Sequence, residues 1–531
     1  MVTGDLWTAT TARRQSTDRG LDLVVPAGTA FDWTSTAAGR RWTLATGEED
    51  SVGAPRAIGR PVARSNLGVK QLVTLLGEWE SGDAAYAALA ARIRLLIDDG
   101  RIATYTRLPA ERILADALGR SRTTVVSAYG ALREAGYLVS VRGSGSVAML
   151  PRRGPGAVAE IDFAHAVPEP VPGLEAIIER VTGNVPDLLR RPGLDLVGDP
   201  LLRRRIADRY TDRGLPTTPA QIVVTLGGQH AIALVARTLL RRADRVVVET
   251  PTYPHAYEAI AEAGGRLVST PVTAAGWDMD HFLEILNRMR PEMAYCIPDF
   301  QNPTGASMPS AHRERLADAA RRAGTALLVD ETTAELDIDR RTDHFPFAAH
   351  APVRSSVPVV TIGSLGKTVW SGLRVGWIRA DEDIVDRIVR RRPAGDLGSP
   401  IIDQQIAAEV LAGYDDLLAV RSAQLRIGRD TLTGLLRNHL PEWEIPDVNG
   451  GLAMWVGLGA PLSSALAAAA LNRGVRISAG PKFGVDGAHE RYIRVPFTED
   501  ADDLAAGVDV LRDVWASLDR PGAPDALTRP A

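Results

Sequence analysis

The chain has 531 residues, several times the roughly 100–200 residues of one domain, so two or more folding units are expected. Its net charge of −4 excludes a global attraction to nucleic acid or membranes, although a local basic region can hide in that sum. The single cysteine, Cys296, excludes an intramolecular disulfide and a thiolate metal cage. No signal-peptide pattern and no apolar stretch of about twenty residues is present, which favours a soluble, cytoplasmic protein with no membrane partner.

Composition divides the chain into five segments. Residues 1–66 are rich in Thr, Ser, Gly and Arg without a sustained period, which predicts a disordered tail. Residues 67–149 carry helical patterns followed by a short hairpin, and the Pro/Gly-rich residues 150–160 predict a linker. Residues 161–518 alternate short apolar strands with amphipathic helices, and residues 519–531 are predicted to be a second disordered tail.

Residues 67–149 have the pattern of a small DNA-reading unit. Helices are predicted over 84–97, 111–118 and 122–135, with Ser121 as the N-cap of the third. The first turn of that helix offers Arg122, Thr123 and Thr124 to a DNA groove. The strand, glycine turn and strand that follow place Arg142 on a wing. An alternative is a three-helix bundle with a solvated arginine face.

The local charge supports the DNA-reading interpretation. Residues 83–153 contain eleven arginines and six acidic residues, a balance of +5 inside a chain of net −4. Such a balance is typical of a surface that contacts a phosphate backbone.

These residues resemble the GntR-type winged helix-turn-helix. The matching motifs are Leu108-Pro-Ala-Glu-Arg112, Leu118-Gly-Arg-Ser-Arg-Thr-Thr-Val125, Leu132-Arg-Glu-Ala-Gly-Tyr-Leu138 and Gly143-Ser-Gly145. The resemblance implies a double-stranded DNA operator as partner and adds Arg112 to the candidate DNA contacts. Ala110 stands where the family usually has a capping serine, and such a loss costs about 1 kcal/mol without abolishing the fold.

Polar groups follow successive predicted strands in the long C-terminal part. Gly227-Gly228-Gln229 open a helix after a strand, where bare amides can take a phosphate, although a plain turn is an equal alternative. Tyr253 follows the strand over 245–249 and can stack on an aromatic ring. Asn302 follows the strand over 294–297. Asp330 ends a buried strand, and a buried carboxylate needs a cationic partner.

Lys367 lies in a Gly/Ser-rich turn after a further apolar strand. Read alone it is as easily a solvated surface lysine. With Ser364 before it and Arg374 seven residues after it, the turn offers an amine for a Schiff base and two groups for a phosphate. Together with the preceding residues, this order predicts a site for pyridoxal 5'-phosphate (PLP). No His/Cys/Asp cluster has metal-ligand spacing, so no metal is expected.

The whole set resembles the class I/II aminotransferases of fold type I, over about 350 residues. The resemblance implies an α/β PLP-dependent transferase fold with a mostly parallel central sheet and a small α+β C-terminal subdomain. It also implies that Gly227, Gly228, Gln229, Ser364 and Arg374 bind the phosphate, Tyr253 the ring face, Asn302 the ring hydroxyl and Asp330 the ring nitrogen. Lys367 matches the catalytic lysine and Arg494 the clamp for a substrate carboxylate. Thr333 replaces the family's usual Tyr, which puts efficient turnover in doubt.

A GntR-type reader fused to an aminotransferase-like domain resembles the MocR family of PLP-dependent transcription regulators. This resemblance implies that the large domain senses PLP or an amino acid or amine effector, and that homodimers exchange reader domains head to tail. It also implies association with the nucleoid when DNA is bound. Two alternatives stay open: an active amino-acid:2-oxo-acid aminotransferase with an auxiliary DNA-binding domain, and a PLP store or scaffold with neither activity.

Overall fold

A computed structural model describes residues 65–77, 79, 84–98, 100–141, 145–150, 161–190, 192–340, 345–351, 357–485 and 487–518, with the backbone of five short strands before residue 45. Those five strands belong to a separate unit, Met1–Val62. They are β1 (Trp7–Thr8), β2 (Gln15–Ser16), β3 (Asp22–Leu23), β4 (Ala30–Thr36) and β5 (Gly39–Leu44). Within that unit β1, β4 and β5 form one antiparallel sheet, and β2 pairs with β3. Apart from these strands and residues 65 and 66, the predicted tail over 1–66 lies outside the described residues, as does the tail over 519–531.

The second unit, Ala63–Ala531, begins with a small helical domain that carries a β wing. Its elements are β6 (Ser65–Asn66), α1 (Val69–Leu76), α2 (Ala85–Asp98), β7 (Thr106–Arg107), α3 (Glu111–Leu118), α4 (Arg122–Glu134), β8 (Leu138–Val141) and β9 (Gly145–Ala148). The strands form one sheet in the order β6-β7-β9-β8. This is the expected winged helix-turn-helix.

Local sequence explains the geometry of the turn between α3 and α4. Gly119 ends α3 in the left-handed conformation at φ 63, which glycine adopts without steric cost. The Ser121 hydroxyl accepts a hydrogen bond from the amide of Thr124 at 3.1 Å, which confirms the predicted N-cap. Ala110 makes no such side-chain bond, and instead the Tyr129 hydroxyl donates to the carbonyl of Pro109 at 3.0 Å. Tertiary contact therefore ties the start of α3 to α4.

The large domain follows the predicted linker, of which only residue 150 is described. Its first half contains β10 (Ile161–Asp162), α5 (Leu174–Gly183), α6 (Val185–Leu188), α7 (Pro200–Asp212), β11 (Ile222–Thr225), α8 (Gly228–Leu239), β12 (Arg245–Thr250), α9 (Pro254–Glu262), β13 (Arg266–Thr273), β14 (Gly276–Trp277), α10 (Met279–Met289), β15 (Met293–Cys296), α11 (Ser310–Ala323), β16 (Ala326–Asp330), β17 (Val359–Ser364) and β18 (Gly376–Arg379). Its second half contains α12 (Glu382–Arg391), α13 (Ile401–Ala412), α14 (Tyr414–His439), β19 (Ala453–Gly457), α15 (Ser463–Asn472), β20 (Val475–Arg476), β21 (Ser478–Ala479), β22 (Tyr492–Pro496) and α16 (Ala501–Ser517).

An eight-stranded sheet forms the centre of the large domain, in the order β11-β18-β17-β16-β15-β12-β13-β14. The five strands from β17 to β13 in that order are parallel, while β18 and β14 run antiparallel to their neighbours. Strands β11, β15 and β16 are buried along their whole length, as expected for a sheet covered by helices on both faces. Because parallel strands end at one edge, the residues that follow β12, β15, β16 and β17 meet there.

The C-terminal subdomain packs β19, β22 and β21, an antiparallel sheet, against α14, α15 and α16. Its apolar core includes one residue from the reader domain, Leu95 of α2. Beside it, Arg92 donates to Glu490 at 2.7 Å and Arg94 to Asn472 at 2.7 Å. Two of the eleven arginines counted as a DNA-binding charge therefore face the large domain. In the described residues no helix is long and apolar enough to cross a membrane.

Candidate PLP site and DNA-reading surface

A cleft of about 360 Å³ lies at the edge where the parallel strands end. Nearly all the predicted site residues of the large domain line it: Gly228, Gln229, Tyr253, Asn302, Asp330, Ser364, Lys367, Arg374 and Arg494. Gly227 lies directly behind the lining, against Arg374. The structure thus brings together residues spread over more than 260 positions of sequence.

The phosphate-binding corner is built where β11, β17 and β18 meet. Ser364 pairs with Gly376 across β17 and β18, so the segment carrying Arg374 returns beside Ser364. The Ser364 hydroxyl accepts from the amide of Gly366 at 3.0 Å, and Arg374 donates to the carbonyl of Leu226 at 2.9 Å. These contacts place a hydroxyl and a guanidinium beside the amino end of α8, where anions bind favourably.

Two glycines at the start of α8 are required by close packing. Gly227 has φ 84, and a Cβ there would lie 3.1 Å from Nη2 of Arg374. A Cβ on Gly228 would lie 2.8 Å from the methyl group of Thr332. The backbone can therefore approach an anion held by Arg374, which a side chain would obstruct.

Asp330 is almost fully buried at the end of β16. It accepts hydrogen bonds from the Tyr295 hydroxyl at 2.8 Å and from the amide and hydroxyl of Thr332 at 3.0 and 2.7 Å. Burial raises the pKa of Asp330 above its ordinary value, although these bonds and the charge of Lys367 oppose the rise. All three donors are neutral, so the carboxylate fits a protonated ring nitrogen entering from the cleft.

Lys367 is the amine of the cleft. Its Nζ donates to the carbonyl of Ala166 at 2.9 Å. Burial and, after it, the charge of Arg494 lower the pKa of Lys367 to about 8, against the opposing effect of Asp330. A substantial fraction of the amine is therefore neutral near pH 8, the form that attacks an aldehyde.

Arg494 on β22 is buried and offers an open donor to the cleft. Its Nη2 donates to the carbonyl of Ala164 at 2.6 Å and its Nη1 contacts Oδ1 of Asn302 at 3.4 Å, whereas its buried Nε has no hydrogen-bond partner. Burial lowers the pKa of Arg494 to about 10. The guanidinium therefore meets only two neutral oxygens, from Ala164 and Asn302. It suits a carboxylate ligand, because a carboxylate supplies two charged acceptors to a guanidinium.

The remaining predicted residues complete the walls. Burial raises the pKa of Tyr253 to about 12, so its hydroxyl stays protonated, and its ring packs edge-on against His255. Gln229 donates to the carbonyl of His255 at 2.8 Å, while its Oε1 is buried without a partner. The hydroxyl of Thr333 donates to the carbonyl of Asp299 at 2.9 Å. The hydroxyl proton of Thr333 is therefore engaged by the protein backbone.

Sequence reasoning missed three parts of the cleft. Tyr295 and Thr332, which bind Asp330, lie on a buried strand and in a turn that look like ordinary packing. Residues 164–167 form one wall, yet their sequence carries no recognisable motif. Lys482 also lines the cleft. Among the described residues, no group of three His, Cys, Asp or Glu side chains could hold a metal ion.

The predicted DNA contacts that the structure describes lie at the amino ends of α3 and α4. Arg112, Ser121, Arg122 and Thr123 are exposed and Thr124 is half-buried. Arg142, the next residue in sequence after β8, lies outside the described residues. Arg133, by contrast, pairs with Glu111 at 2.6 Å and so ties α4 to α3. The amino end of α4 is therefore exposed, as is required of a helix that enters a DNA groove.

The fold and the cleft define a PLP-dependent transferase domain joined to a winged helix-turn-helix. Residues 190–511 match the family model for aminotransferase class I and II, and residues 85–147 match that for bacterial regulatory proteins of the gntR family. The chain belongs to the aminotransferase class I and II family, and its two domains together give it the arrangement of the MocR-type regulators.

Known proteins of both kinds are similar to this chain. A 2-aminoadipate transaminase from Thermus thermophilus is 30% identical over 296 residues, covering 55% of this chain and 74% of the transaminase. The probable rhizopine catabolism regulatory protein MocR from Rhizobium meliloti is 28% identical over 398 residues, covering 68% and 79%. The crystal structure of LysN, an alpha-aminoadipate aminotransferase from Thermus thermophilus complexed with N-(5'-phosphopyridoxyl)-L-leucine, superposes with a TM-score of 0.60 at 27% identity, covering 67% and 92%.

Proposed function

We propose that this chain is a PLP-dependent transcription regulator that binds operator DNA through residues 67–149 and responds to PLP or to an amino compound in the cleft. The observation that carries the proposal is the contact between the two domains. Arg92 of the reader pairs with Glu490, and Glu490 lies four residues before Arg494 in the chain. A ligand held by Arg494 therefore acts on the strand whose leading segment binds the reader.

Within the cleft, the residues hold the cofactor and the effector in defined positions. PLP, when bound, supplies an electron sink for the amino compound. Ser364, Arg374 and the amides of α8 would hold its phosphate and Asp330 its ring nitrogen. Lys367 would supply the amine for its aldehyde group. Arg494 would hold the carboxylate of the amino compound at the wall of the same cleft.

Residues 163–167 connect this chemistry to the reader. Arg494 and Lys367 donate to the carbonyls of Ala164 and Ala166. A carboxylate on Arg494 competes with the first of these contacts. Ala164 also lines a small cavity of about 30 Å³ together with Leu95 and Asp98 of α2. A displacement of this segment would therefore change the packing between the large domain and α2 of the reader.

A ligand can shift DNA binding only through its different affinities for two conformations, typically about 1–3 kcal/mol of coupling. The test is a titration of the full-length protein with PLP and with candidate amino acids and amines. The visible spectrum, keto-acid release and operator affinity are followed on one sample. A changed operator affinity with slow keto-acid release supports the regulator. Rapid keto-acid release with operator affinity unmoved by every ligand overturns it.

An active aminotransferase is the second candidate, because Lys367, Asp330 and Arg494 are all in place. Thr333 argues against an active aminotransferase. Its hydroxyl donates to the carbonyl of Asp299 and so does not replace the hydroxyl of the family's usual tyrosine. We expect slow completion of transamination relative to ligand exchange. The resulting long-lived complex suits signalling better than turnover.

The domain boundaries and the assembly belong to the same proposal. We place the reader at 67–149, the linker at 150–160 and the large domain at 161–518, between tails over 1–66 and 519–531. The protein is proposed to act as a homodimer with head-to-tail exchange of readers, in the cytoplasm and on the nucleoid when DNA is bound. Light scattering of the full-length protein, with cross-linking between readers and large domains, tests the assembly.

A further inference from the structure

The peptide groups around Leu226, just before the phosphate-binding glycines, are held from two sides. The amide of Leu226 donates to Nδ1 of His230 at 3.0 Å, and its carbonyl accepts from Nη2 of Arg374 at 2.9 Å. Gly227 follows at φ 84, in contact with the same guanidinium. The position of the turn therefore depends on two side chains, of which only Arg374 was expected from the sequence.

The contact with Leu226 dictates the tautomer of His230. Because an amide N–H donates to Nδ1, that atom must carry a lone pair, so the ring proton is on Nε2. Nε2 lies 2.9 Å from Asp396, and the same carboxylate accepts from Nε of Arg392 at 2.7 Å. The imidazole thus lies between the phosphate-binding turn and a carboxylate that is itself fixed in place, close to Oδ2 of Asp396 but not aligned with it as a hydrogen bond.

Arg392 anchors this network in the core. Its side chain is fully buried and donates through Nη1 to the carbonyls of Leu196 and Val224, both at 2.7 Å. Val224 belongs to β11, the strand that leads into Leu226. The network is therefore a closed loop from β11 through Arg392, Asp396 and His230 back to the residue that follows the same strand.

Burial and two of the three charged groups that face His230 lower the pKa of its imidazole. Burial lowers the pKa of His230, Asp396 opposes this, and Arg392 and Arg237 lower it further. Arg237 lies on the same helix as His230, and the other two lie at the carboxyl end of α12 and beyond it. Protonation at Nδ1 would set an N–H against the N–H of Leu226 and remove the acceptor.

We propose that His230, with its proton on Nε2, is a positioning residue that holds the Leu226–Gly227 turn against Arg374 and so sets the affinity for the phosphate of PLP. The inference rests on the proposed cofactor site. The proposed role of His230 differs from that of a plain helix cap, although a cap can also use the side chain at the third position of a helix. A cap stabilises the helix whatever the ligand, whereas a positioning residue changes phosphate affinity and its dependence on pH.

The experiment uses the full-length protein and three variants. H230N places Oδ1 where Nδ1 lies, so it keeps an acceptor for Leu226 but does not titrate. H230L removes the acceptor. H281L changes an exposed histidine on α10 and serves as the matched control. Dissociation constants are measured for PLP and for pyridoxal, which lacks the phosphate, across pH, together with the melting temperature of each protein.

We expect H230L to weaken PLP binding about tenfold, and H230N and H281L to stay within about twofold of wild type at pH 8. Pyridoxal binding should change little in every variant. On acidification the wild type should lose PLP affinity faster than H230N. The phosphate itself titrates at about pH 6 in both proteins, so the signal is the difference between them.

The outcomes separate the inference from the site on which it rests. If the wild type binds no PLP, the proposed cofactor site is wrong. If it binds PLP but H230L binds equally well, or H230N keeps the wild-type pH profile, His230 does not position the turn. A loss of PLP and pyridoxal affinity in equal measure, with a lower melting temperature in H230L, shows a structural role only and also overturns the inference.

Discussion

Nη2 of Arg92 lies 2.7 Å from Oε1 of Glu490, and this ion pair joins the DNA-reading helices to the segment that leads into β22. The carboxylate also accepts from the hydroxyls of Ser463 and Ser464, at 3.0 and 2.8 Å. Burial raises the pKa of Glu490, but Arg92 and the bonds from Ser464 outweigh burial and leave that pKa below its ordinary value. The pair is therefore charged at neutral pH and orders the domain contact.

Replacing Glu490 by Gln should weaken both the contact and the communication between domains. The variant leaves the buried guanidinium of Arg92 without its carboxylate, which costs about 1–3 kcal/mol of unfolding free energy. We also expect a smaller effect of any effector on operator affinity. Asp447→Asn, which breaks the exposed pair with Arg437, is the matched control and should change stability by less than about 1 kcal/mol. Equal coupling in E490Q and wild type would show that signals take another route.

Lys367→Ala should abolish covalent attachment of PLP while leaving the phosphate corner intact. Borohydride reduction of the wild type should fix the cofactor on Lys367, which peptide mass spectrometry can locate. The alanine variant should still bind PLP reversibly but lack the visible band of the lysine-bound cofactor. An identical reducible band in the variant would mean that another amine carries the cofactor.

The rate of PLP attachment should depend on pH through the lysine. Because the pKa of Lys367 is lowered to about 8, the neutral fraction of the amine reaches one half near pH 8 and levels off about one pH unit higher. The rate of covalent attachment measured by stopped flow should follow this curve. Arg494→Gln removes a positive charge that lowers this pKa, so its curve should move to higher pH. A profile that still rises steeply to pH 10, as for an exposed lysine, contradicts the assignment.

Arg122 and Arg142 should affect DNA binding differently. Arg122→Ala, at the exposed amino end of α4, should cost about 1–3 kcal/mol and relax base preference. Arg142→Ala on the wing should weaken binding to all sequences and flatten its dependence on salt. Fluorescence anisotropy with specific and scrambled duplexes at several salt concentrations measures both effects. Unchanged operator affinity in the Arg122 variant would exclude α4 from the major groove.

Arg494→Lys tests recognition of a carboxylate. A lysine keeps the charge but cannot form the paired bonds of a guanidinium, so the affinity for amino acids should fall about 10- to 100-fold. Affinity for the corresponding amines without a carboxylate should be unchanged. Arg491→Lys, at an exposed residue of the segment that leads into the same strand, is the control. The two series can be compared by spectral titration of PLP-loaded protein.

The sequence predicted the elements whose signals are local. Helix α3 was predicted with its observed bounds, Glu111–Leu118, because Pro109 and Gly119 mark its ends. Most residues of the cleft were also predicted, since they follow strands of the central sheet and parallel strands end together. Arg494 lies within β22 of the other sheet and was predicted only from the family resemblance. The donors to Asp330 were not predicted, because nothing in the sequence distinguishes Tyr295 from other buried tyrosines until its strand is placed beside β16.

The count of arginines shows a second limit. Charge in a window of sequence measures how much charge a domain carries but not which surface carries it. Arg92 and Arg94 lie two residues apart on α2, and both bind the C-terminal subdomain. Only the packing of α2 against α15 shows that this part of the charge is not available to DNA. His230 was missed for a similar reason, since its partner Asp396 is 166 residues away in sequence.

The carbonyl of Ala164 accepts a hydrogen bond from Nη2 of Arg494, so a ligand carboxylate held by this guanidinium has to compete with an acceptor of the protein itself. An incoming carboxylate has to displace the carbonyl of Ala164 from Arg494. Its apparent affinity is therefore reduced by the fraction of molecules in which this internal hydrogen bond is formed. A charged carboxylate forms stronger hydrogen bonds with a guanidinium than a neutral carbonyl does, whereas a hydroxyl or an ester does not. Under the proposed function, we therefore expect the wall of the cleft to raise the concentration at which a carboxylate effector acts, and to select against uncharged amino compounds at Arg494.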